Sequence, residues 1–384
     1  MSITAPEILD ELIKNALEAR ASDIHIEPSL ETFTIRFRVD GFLFFHTHLE
    51  LSTGNQIIAR IKVLSQANVA ERRLPQDGKF TIEFLKQTFD IRVATFPCIH
   101  GEKVVLRLLD RSFKALQLDQ LGLSREMYEN ILALAKKSHG FFLATGPTGS
   151  GKTTLLHALL RHINTIDLNI MTLEDPVEYT IERITQTTIN PEIDLTFEKG
   201  LRSLLRLDPD IIMVGEIRDR ETAHVAVKAA LTGHFVVSTL HTTDAPSALL
   251  RLLAMQIEPF LIQAAVSGII AQRLARRLCI HCRYPVPLTA EEKTIISSLD
   301  ITLASAYKST GCHQCKGTGY LGRIGIFQLL LLNCQIQSAM IHSPDYENIS
   351  LHAALQGMKS LKYDAAIKVE AGLTSLSELI RVCG

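Results

Sequence analysis

The 384-residue sequence has no marked excess of charge of either sign. Its 40 lysine and arginine residues stand against 41 aspartate and glutamate residues, for a formal net charge of −1. A nearly neutral chain exerts no general attraction on nucleic acid or anionic lipid, although local basic patches remain possible. The composition therefore argues against proteins that bind such polyanions through overall charge.

Long apolar stretches are missing as well. The longest run, IGIFQLLLL, falls short of the roughly 18 apolar residues that a membrane-spanning helix needs. The amino-terminal segment MSITAPEILDELIKN carries acidic residues early and has no apolar core of signal-peptide length. With 46% hydrophobic and 21% charged residues, the composition predicts a soluble, cytoplasmic, globular protein, and the length predicts two or three domains.

The first part of the sequence has the pattern of a small α+β domain, residues 1–112. Apolar residues at helical spacing predict an amphipathic helix over residues 6–20. The segment FTIRFRVDGF then alternates apolar and polar residues and reaches Asp40-Gly41, a hairpin signal. A helix around IIARIKVLSQ and three short strands, FTIEF, FDIRVATF and KVVLRLL, complete the prediction.

From residue 113 the pattern becomes that of an α/β domain, predicted to extend to residue 384. A helix should begin at Ser124, a suitable N-cap. Four apolar runs, FFLAT, NIMTLED, IIMVGE and FVVSTLH, then alternate with helices. Such runs predict a mostly parallel sheet covered on both faces, and ligands of these sheets bind beyond the carboxyl ends of the strands.

The segment GPTGSGKTT fits the phosphate-binding pattern GxxxxGK[ST]. Its small residues let successive backbone N–H groups surround phosphate oxygens, while Lys152 and Thr153 address the charge and the Mg²⁺ ion. The segment follows a predicted strand and precedes a predicted helix, which is the context that makes the motif specific. The predicted nucleotide-binding residues are Gly146, Pro147, Thr148, Gly149, Ser150, Gly151, Lys152, Thr153 and Thr154.

Acidic residues follow two more of the predicted strands. IIMVGE ends on Glu216, which suits the water shell of Mg²⁺, although an acid here can also cap the following helix. In TLEDPVEY, Pro176 prevents a regular strand from continuing, so Glu174, Asp175 and Glu178 are expected on a turn. An acid on this turn can orient water for hydrolysis, and the alternative is an acidic surface turn.

Two histidines bracket the fourth predicted strand. His234 precedes FVVSTL and His241 follows it. Either imidazole can sense the γ-phosphate of a bound nucleotide, although a histidine in a turn is also common without such a role.

Two CxxC pairs, CIHC and CHQC, are separated by 29 residues. Four cysteines in this arrangement predict a tetrahedral Zn²⁺ site without an open coordination position, hence a structural metal, and the alternative is a set of unligated thiols. A subdomain over residues 276–323 is expected to fill the long gap, with a helical region over residues 324–384. The predicted ligands are Cys279, Cys282, Cys312 and Cys315, whereas no metal role is predicted for the isolated Cys98, Cys334 and Cys383.

Taken together, these motifs resemble those of the secretion ATPases of type II secretion and type IV pilus assembly. The resemblance extends from about residue 20 to the end of the chain. NIMTLEDPVEY and the tail GMKSL and AGLTSLSELIRV look closest to the GspE-like, type II branch, with PilB-like pilus assembly ATPases as near neighbours. The resemblance to the secretion ATPases rests on the segments ASDIHIEP, RLPQDGK, GPTGSGKTT, NIMTLEDPVEY, LRLDPDIIMVGEIRD, TGHFVVSTLHTTDAPSALLRLL and AQRLARRLC.

The resemblance implies a RecA-like P-loop NTPase domain preceded by a PAS-like domain. It implies that Glu178 is the preferred water-activating carboxylate with Glu174 second, and that Glu216 is the metal-shell acid. It also singles out Arg92 in FDIRVATFP and Arg107 in GEKVVLRLLD. Family members bring such arginines against the nucleotide phosphates when the small domain closes on the ATPase domain, although from the sequence alone both look like solvated strand charges.

The resemblance further implies ATP, Mg²⁺ and structural Zn²⁺ as cofactors, and a homohexamer that is cytoplasmic and peripheral on the inner membrane. Its partners would be inner-membrane platform proteins, and ATP hydrolysis would drive pseudopilus assembly and protein export across the outer membrane. The tetracysteine insertion argues against a retraction motor, since retraction ATPases generally lack it. The sequence starts almost directly at ASDIHIEP, whereas family members usually carry a further amino-terminal domain that docks on the platform. Three alternatives stay open: a truncated form of a longer protein, a shortened natural version, or a member that docks through another surface.

A nucleic-acid translocase is the competing interpretation, because a parallel-sheet ATPase joined to a zinc module also describes helicase-like proteins. The neutral charge balance and the lack of a surface that combines aromatic and basic residues argue against it, so no nucleic-acid partner is expected. The arginine-rich segment RLARRLCIHCR is the one possible nucleic-acid patch. The alternative is that these arginines face solvent or a neighbouring subunit.

Overall fold

The computed structural model describes residues 4–110 and 116–384. The chain divides into two compact units, Met1–Lys114 and Ala115–Gly384. Each unit has its own apolar core. Within the two described ranges, no helix is both long enough and apolar enough to cross a membrane.

The first unit is an antiparallel sheet with two helices packed on it. The strands lie in the order β3-β2-β1-β6-β5-β4. Apolar residues of α1 and α2 share one core with alternate residues of the central strands, so the helices cover one face. The elements are α1 Ala5–Glu18, β1 Ala21–Pro28, β2 Thr32–Val39, β3 Phe42–Glu50, α2 Leu51–Leu64, β4 Gln76–Phe84, β5 Gln87–Cys98 and β6 Gly101–Asp110.

The hairpin between β2 and β3 turns at the two residues that the sequence predicts. Asp40 and Gly41 have φ angles of 49° and 92°. A two-residue turn that matches the twist of its strands needs positive φ at both positions, which aspartate tolerates and glycine adopts freely. Local sequence therefore sets the register of this strand pair.

The second unit begins with helices and strands in alternation. Two short 3₁₀ helices, Leu118–Leu121 and Pro191–Ile193, lie between larger elements. Ser124 caps α3 by accepting a hydrogen bond from the backbone N–H of Met127, as its sequence position predicts. The larger elements are α3 Arg125–Ala135, β7 Gly140–Thr145, α4 Lys152–Ile163, β8 Ile170–Glu174, β9 Ile184–Thr188, α5 Phe197–Leu204, β10 Ile211–Val214, α6 Arg220–Leu231, β11 Phe235–Leu240, α7 Ala245–Ala254, α8 Pro259–Ala265 and β12 Val266–Leu278.

The remainder of the second unit contains two short strands, a long strand and five helices within the described residues. The short strands pair with each other, and the long strand joins the large sheet. These elements are β13 Arg283–Val286, α9 Ala290–Ser298, β14 Ala306–Ser309, β15 Tyr320–Leu331, α10 Cys334–His342, α11 Tyr346–Leu355, α12 Leu361–Glu370 and α13 Leu376–Cys383.

The large sheet has seven strands in the order β15-β12-β7-β11-β10-β8-β9. All neighbouring strands are parallel except β15, which runs antiparallel to β12. Phe141 and Leu143 of β7 enter one core, whereas Phe142 and Ala144 enter the other. A sheet buried on both faces was predicted from its apolar runs, and the structure confirms it.

The parallel arrangement brings the carboxyl ends of β7, β8, β10 and β11 to the same side of the sheet, here called the carboxyl edge. The segments that leave these four ends are the phosphate-motif loop, TLEDPVEY, GEIRD and HTTD. The fold therefore gathers at one edge segments that are scattered over about a hundred residues of sequence.

Candidate functional site

The phosphate loop, residues 146–151, connects β7 to α4. A side chain at Gly146 would place its Cβ 2.4 Å from the carbonyl oxygen of Gln272, and the φ angle of Gly146 is 149°. At Gly151, where φ is 88°, a Cβ would lie 2.8 Å from the Gln272 amide nitrogen. The loop thus lies directly against β12, and glycine at both positions permits this close approach.

Lys152 is the first residue of α4 and is 7% exposed. Its Nζ donates hydrogen bonds to the carbonyls of Gly146 and Pro147, at 2.9 and 3.0 Å. Burial lowers the pKa of Lys152 while the charge of Glu216 raises it, so the ammonium group lies within electrostatic reach of that carboxylate. The hydroxyl of Ser150 is buried and has no hydrogen-bond partner among the described residues. A buried cation and a free buried hydroxyl are suited to an anionic ligand.

Glu216 lies two residues beyond β10, at the carboxyl edge. It forms an ion pair with Arg218, and its Oε2 lies 3.3 Å from Nε2 of His241. Arg218 also donates to Asp175 Oδ2 at 3.2 Å, and the Glu216 carboxylate raises the pKa of Arg218. Polar side chains that follow β8, β10 and β11 are therefore joined in one network.

Glu216 does not cap the helix that follows it, α6. Asp219 is the N-cap of α6, and its Oδ1 accepts a hydrogen bond from the backbone N–H of Thr222 at 2.7 Å. Glu216 is therefore available for another role. Thr153, in the first turn of α4, and Glu216 offer the hydroxyl and carboxylate oxygens that Mg²⁺ prefers.

The two glutamates of TLEDPVEY lie in different surroundings. Glu174 ends β8 and is 2% exposed. Its Oε1 accepts hydrogen bonds from Thr172 Oγ1 at 2.6 Å and Gln186 Nε2 at 2.9 Å, and its Oε2 lies 3.0 Å from His157 Nε2. Burial raises the pKa of Glu174, but these three donors outweigh burial and lower it overall. Glu178, in contrast, is exposed on the turn.

The two predicted phosphate-sensing histidines lie at opposite ends of β11. His241 follows Leu240 at the carboxyl edge and contacts Glu216. The carbonyl of His234 accepts from the backbone N–H of Gly140, at the start of β7, and its Nδ1 is 3.0 Å from the Ala229 carbonyl. Six residues of β11 separate the two histidines, about 20 Å at ~3.3 Å per residue. His234 is therefore remote from the phosphate loop of its own chain, which corrects its predicted role.

Arg273, the first residue of the arginine-rich segment RLARRLCIHCR, lies near the phosphate loop. It lies on β12 two residues beyond Ala271, which pairs in register with Thr145 at the end of β7. Its guanidinium donates to the carbonyl of Thr243 at 2.5 Å, and its charge lowers the pKa of Lys152. Only the register of β12 beside β7 reveals this position.

Other arginines of the same segment contact their own chain. Arg276 pairs with the buried carboxylate of Glu378 at 2.9 Å and lies 4.0 Å from the ring centroid of Tyr320. Arg283 donates to the carbonyl of Gly372. The segment therefore packs the end of β12 against the carboxyl-terminal helices, and Arg277 is the exposed member.

Arg92 and Arg107 lie in the first unit on adjacent strands. They face each other directly in the β5–β6 register. Because Ile91 and Val93 enter the helix-covered core, Arg92 lies on the other face of the sheet. Arg107 Nε donates to Asp23 Oδ1 at 2.9 Å, and its side chain is 61% exposed. Arg92 and Arg107 thus lie side by side on the face of the sheet opposite the helices.

The four cysteines of the two CxxC pairs come together, with all sulfur atoms within 4.8 Å of one another. Three of the sulfur pairs lie 3.7 to 3.9 Å apart. A tetrahedral ion with metal–sulfur bonds of about 2.3 Å places its ligands roughly 3.8 Å apart, so the spacing suits a bound metal such as zinc. The 29-residue gap between the pairs contains β13, α9 and β14.

Cys315 is prepared for the thiolate form. Its sulfur accepts hydrogen bonds from the backbone N–H groups of Cys312 at 3.1 Å and Gly319 at 3.2 Å. Burial raises the pKa of Cys315, but these donors, together with hydrogen bonds from the side chains of Cys312 and Cys282, lower it to about 6. Burial and hydrogen bonds to the other three cysteines raise the pKa of Cys282 to about 12, so Cys315 is the cysteine of this pair that favours the thiolate. Metal coordination requires the thiolate, so this arrangement favours ligation. The remaining cysteines, Cys98, Cys334 and Cys383, do not belong to the cluster.

A glycine-rich loop between a buried strand and a helix, with acids beyond the neighbouring parallel strands, defines a P-loop nucleoside triphosphatase. Residues 2–381 match the family described as Type II/IV secretion system protein. The chain belongs to this family, and the resemblance noted from its motifs is confirmed.

Relatives in both secretion and pilus systems resemble the chain. It is 44% identical over 376 residues to the type II secretion system ATPase E of Vibrio cholerae, an alignment covering 98% of this chain and 75% of the relative. It is 43% identical over 378 residues to the type IV pilus assembly ATPase PilB of Thermus thermophilus, an alignment covering 98% of this chain and 42% of the relative. The chain is therefore an ATPase of the secretion and pilus class.

Solved structures have the same fold. The Legionella pneumophila ATPase DotB superposes with a TM-score of 0.72 at 22% identity, covering 98% of this chain and 95% of that one. The pilus retraction motor PilT, solved with bound ADP, superposes with a TM-score of 0.64 at 25% identity, and the superposition covers 97% of this chain and 96% of that one. The mixed α/β architecture with a mostly parallel sheet is thus that of secretion ATPases.

Proposed function

We propose that this ATPase is the motor of a type II secretion system, acting as a homohexamer that drives pseudopilus assembly and protein export across the outer membrane. The observation that carries the proposal is the position of Lys152 and its loop beside Glu216 at the carboxyl edge. The 44% identity to a type II secretion ATPase supports the choice of system. The chain would lie in the cytoplasm, peripheral on the inner membrane, against platform proteins.

The proposed chemistry uses the loop and the acids of the carboxyl edge. Backbone N–H groups of the phosphate loop would bind the nucleotide phosphates, and Lys152 would exchange its two loop carbonyls for phosphate oxygens. Thr153 and Glu216 would hold Mg²⁺, which neutralises charge on the phosphates when bound. Glu178 would orient the attacking water, since its carboxylate is exposed whereas every oxygen of Glu174 already accepts a hydrogen bond.

In this proposal the second unit is RecA-like and the first is PAS-like. The first unit would present Arg92 and Arg107 to the nucleotide phosphates during turnover. The contact with Asp23 supports this role, because it holds Nε of Arg107 while the side chain remains 61% exposed. His241, in contact with Glu216, would report on the γ-phosphate.

Arg107→Ala should lower kcat for ATP by about 10³-fold, the low end of the effect of an arginine finger. The melting temperature should fall only modestly, because the Arg107 side chain is 61% exposed and Arg38 remains 3.8 Å from the buried carboxylate of Asp23. Steady-state turnover and thermal unfolding measure the two effects. Arg36→Ala is the matched control, since Arg36 is also a partly exposed sheet arginine in an ion pair. Normal turnover combined with lost thermal stability would contradict the proposed role.

The tetracysteine cluster would hold one structural Zn²⁺. Purified protein should then contain about one zinc ion per chain, and removing it with a chelator should lower the melting temperature by about 10 °C or more, because metal binding contributes directly to folding. Metal analysis and thermal unfolding test this, with Cys312→Ser as the cluster variant and Cys334→Ser as the control outside the cluster. A metal-free protein of unchanged stability would refute a structural zinc.

The type IV pilus assembly ATPase is the second candidate, favoured by the 43% identity to the Thermus thermophilus relative. Deleting the gene in its host and restoring it, as wild type or as Lys152→Ala, distinguishes the two. Type II secretion predicts that proteins disappear from the medium and return only with the wild-type gene, while surface pili stay unchanged. Lost pili with intact export would assign the pilus function instead. Stimulation of ATP turnover by DNA alone would contradict both.

A further inference from the structure

The turn that carries Glu178 is attached to the helix that follows the phosphate loop. This aspartate turn, residues 174–179, meets two side chains that lie one helical turn apart on α4. His157 Nε2 is 3.0 Å from Glu174 Oε2, at the start of the aspartate turn. The imidazole also lies edge-on to the ring of Tyr179, at the end of the turn, with centroids 4.8 Å apart, and Arg161 lies 5.2 Å from the same ring centroid.

Strand β9 holds the aspartate turn from the other side. Gln186 donates its amide hydrogens to Glu174 Oε1 at 2.9 Å and to the Tyr179 carbonyl at 3.2 Å. The hydroxyl of Thr188 accepts from the backbone N–H of Val177 at 3.2 Å. Glu178 is therefore an exposed carboxylate between two anchored residues.

His157 is an unusual residue for its position. It is fully buried, like its apolar neighbours Leu155, Leu156 and Leu159 on α4. Its Nδ1 has no hydrogen-bond partner within the described part of the chain. Burying a polar ring with one unpaired nitrogen costs free energy that an apolar side chain would not cost. Among the described residues, the hydrogen bond from Nε2 is the one polar contact of the His157 ring, and leucine could not make it.

The direction of that hydrogen bond follows from its partner. Thr172 and Gln186 both donate to Glu174, and an ionised carboxylate has only acceptor positions, so it also accepts in its contact with His157. His157 Nε2 therefore carries the hydrogen. Glu174 is 2% exposed and already accepts three hydrogen bonds from protein donors, so a reacting water has little access to it. Its contribution is to hold the aspartate turn against α4.

We propose that His157 is a positioning residue for ATP hydrolysis, which holds the aspartate turn to α4 through Glu174 and Tyr179 and so fixes Glu178 relative to the phosphate loop. Since α4 begins at Lys152, one rigid helix carries both the phosphate-binding lysine and the anchor of the water-activating acid. The inference rests on the role of Glu178 in the proposed function.

His157→Leu should lower kcat by about 10²-fold, the effect of displacing a reacting group by roughly 1 Å. KM for ATP and the dissociation constant for ADP should change by less than about threefold, because the phosphate loop itself is untouched. His157→Gln should recover kcat to within about threefold of wild type, since its amide nitrogen can donate from the position of Nε2. His162→Leu, an exposed histidine on the same helix, is the control and should retain kcat.

His157→Asn separates positioning from folding, because its shorter amide donates from the position of Nδ1 and does not reach Glu174. The kcat of His157→Asn should resemble that of His157→Leu. The asparagine variant therefore replaces the leucine variant in this test if the leucine variant does not fold. Unchanged kcat in these variants, or equal losses for asparagine and glutamine, would overturn the inference.

Combining His157→Leu with Glu178→Gln tests whether the loss of kcat in His157→Leu arises through Glu178. If His157 acts through Glu178, the double variant should turn over no more slowly than Glu178→Gln alone. An additional 10²-fold loss in the double variant would overturn the inference. Normal turnover of Glu178→Gln alone would instead refute the proposed water-activating residue, so the two failures are distinguishable.

Discussion

We expect Lys152→Ala to abolish steady-state ATP hydrolysis, with a loss of more than about 10²-fold, as for removal of a fixed group that stabilises transition-state charge. Lys152 is buried at the start of α4 and now donates to two loop carbonyls. Alanine cannot supply this charge to a phosphate. ATP turnover with Mg²⁺, measured beside circular dichroism and zinc content, tests the expectation.

The control for this experiment is Lys137→Ala, which removes an exposed lysine that follows α3. Its turnover should equal that of the wild type. A folded Lys152→Ala protein with unchanged turnover would mean that the phosphates bind elsewhere, and the assignment of the loop would be wrong.

Glu178→Gln should reduce kcat by about 10² to 10⁴-fold, the usual range for removal of a general base. Glutamine preserves the size of the side chain but cannot accept a proton from water. Nucleotide affinity should stay close to that of the wild type, because the exposed Glu178 is not part of the phosphate loop. Single-turnover hydrolysis together with ADP binding separates chemistry from affinity.

Two further variants define the role of Glu178. Glu182→Gln alters an exposed acid shortly after the same turn and should retain normal turnover. Glu174→Gln should lose less activity than Glu178→Gln if Glu174 holds the aspartate turn. A larger loss in a folded Glu174→Gln protein would reverse the two roles.

The central strands were predictable because each signal is local. FFLAT, NIMTL, IIMV and FVVSTL are continuous apolar runs followed by glycine or polar residues, and they become β7, β8, β10 and β11. The hairpin at Asp40-Gly41 needed only two residues with suitable φ preferences.

Strand β12 was not predicted because its environment comes from distant parts of the chain. Gln272, Arg273 and Arg276 interrupt its apolar pattern. Arg276 is nevertheless accommodated on the strand because Glu378, a hundred residues later, pairs with its charge. Partners of this kind cannot be recognised from periodicity in a single sequence.

In the candidate site, too, features set by neighbouring residues were predictable and features set by distant parts of the chain were not. The phosphate motif fixed the place of Lys152, since strand, loop and helix are adjacent in sequence. The two histidines that bracket β11 could not be ranked, because only the parallel register decides which end of the strand meets the loop. In the sequence, His157 lies among the apolar residues of α4, and its contact with Glu174 is visible only with β8 in place.

The most direct test is a structure of the protein with Mg²⁺, ADP and aluminium fluoride, which imitates the transferring phosphoryl group. The account predicts the phosphates on the backbone N–H groups of the phosphate loop, with Lys152 against them. It also predicts the Glu178 carboxylate within about 3.2 Å of the attacking water. A nucleotide bound away from the loop, or a water held by Glu174 with Glu178 turned to solvent, would contradict it.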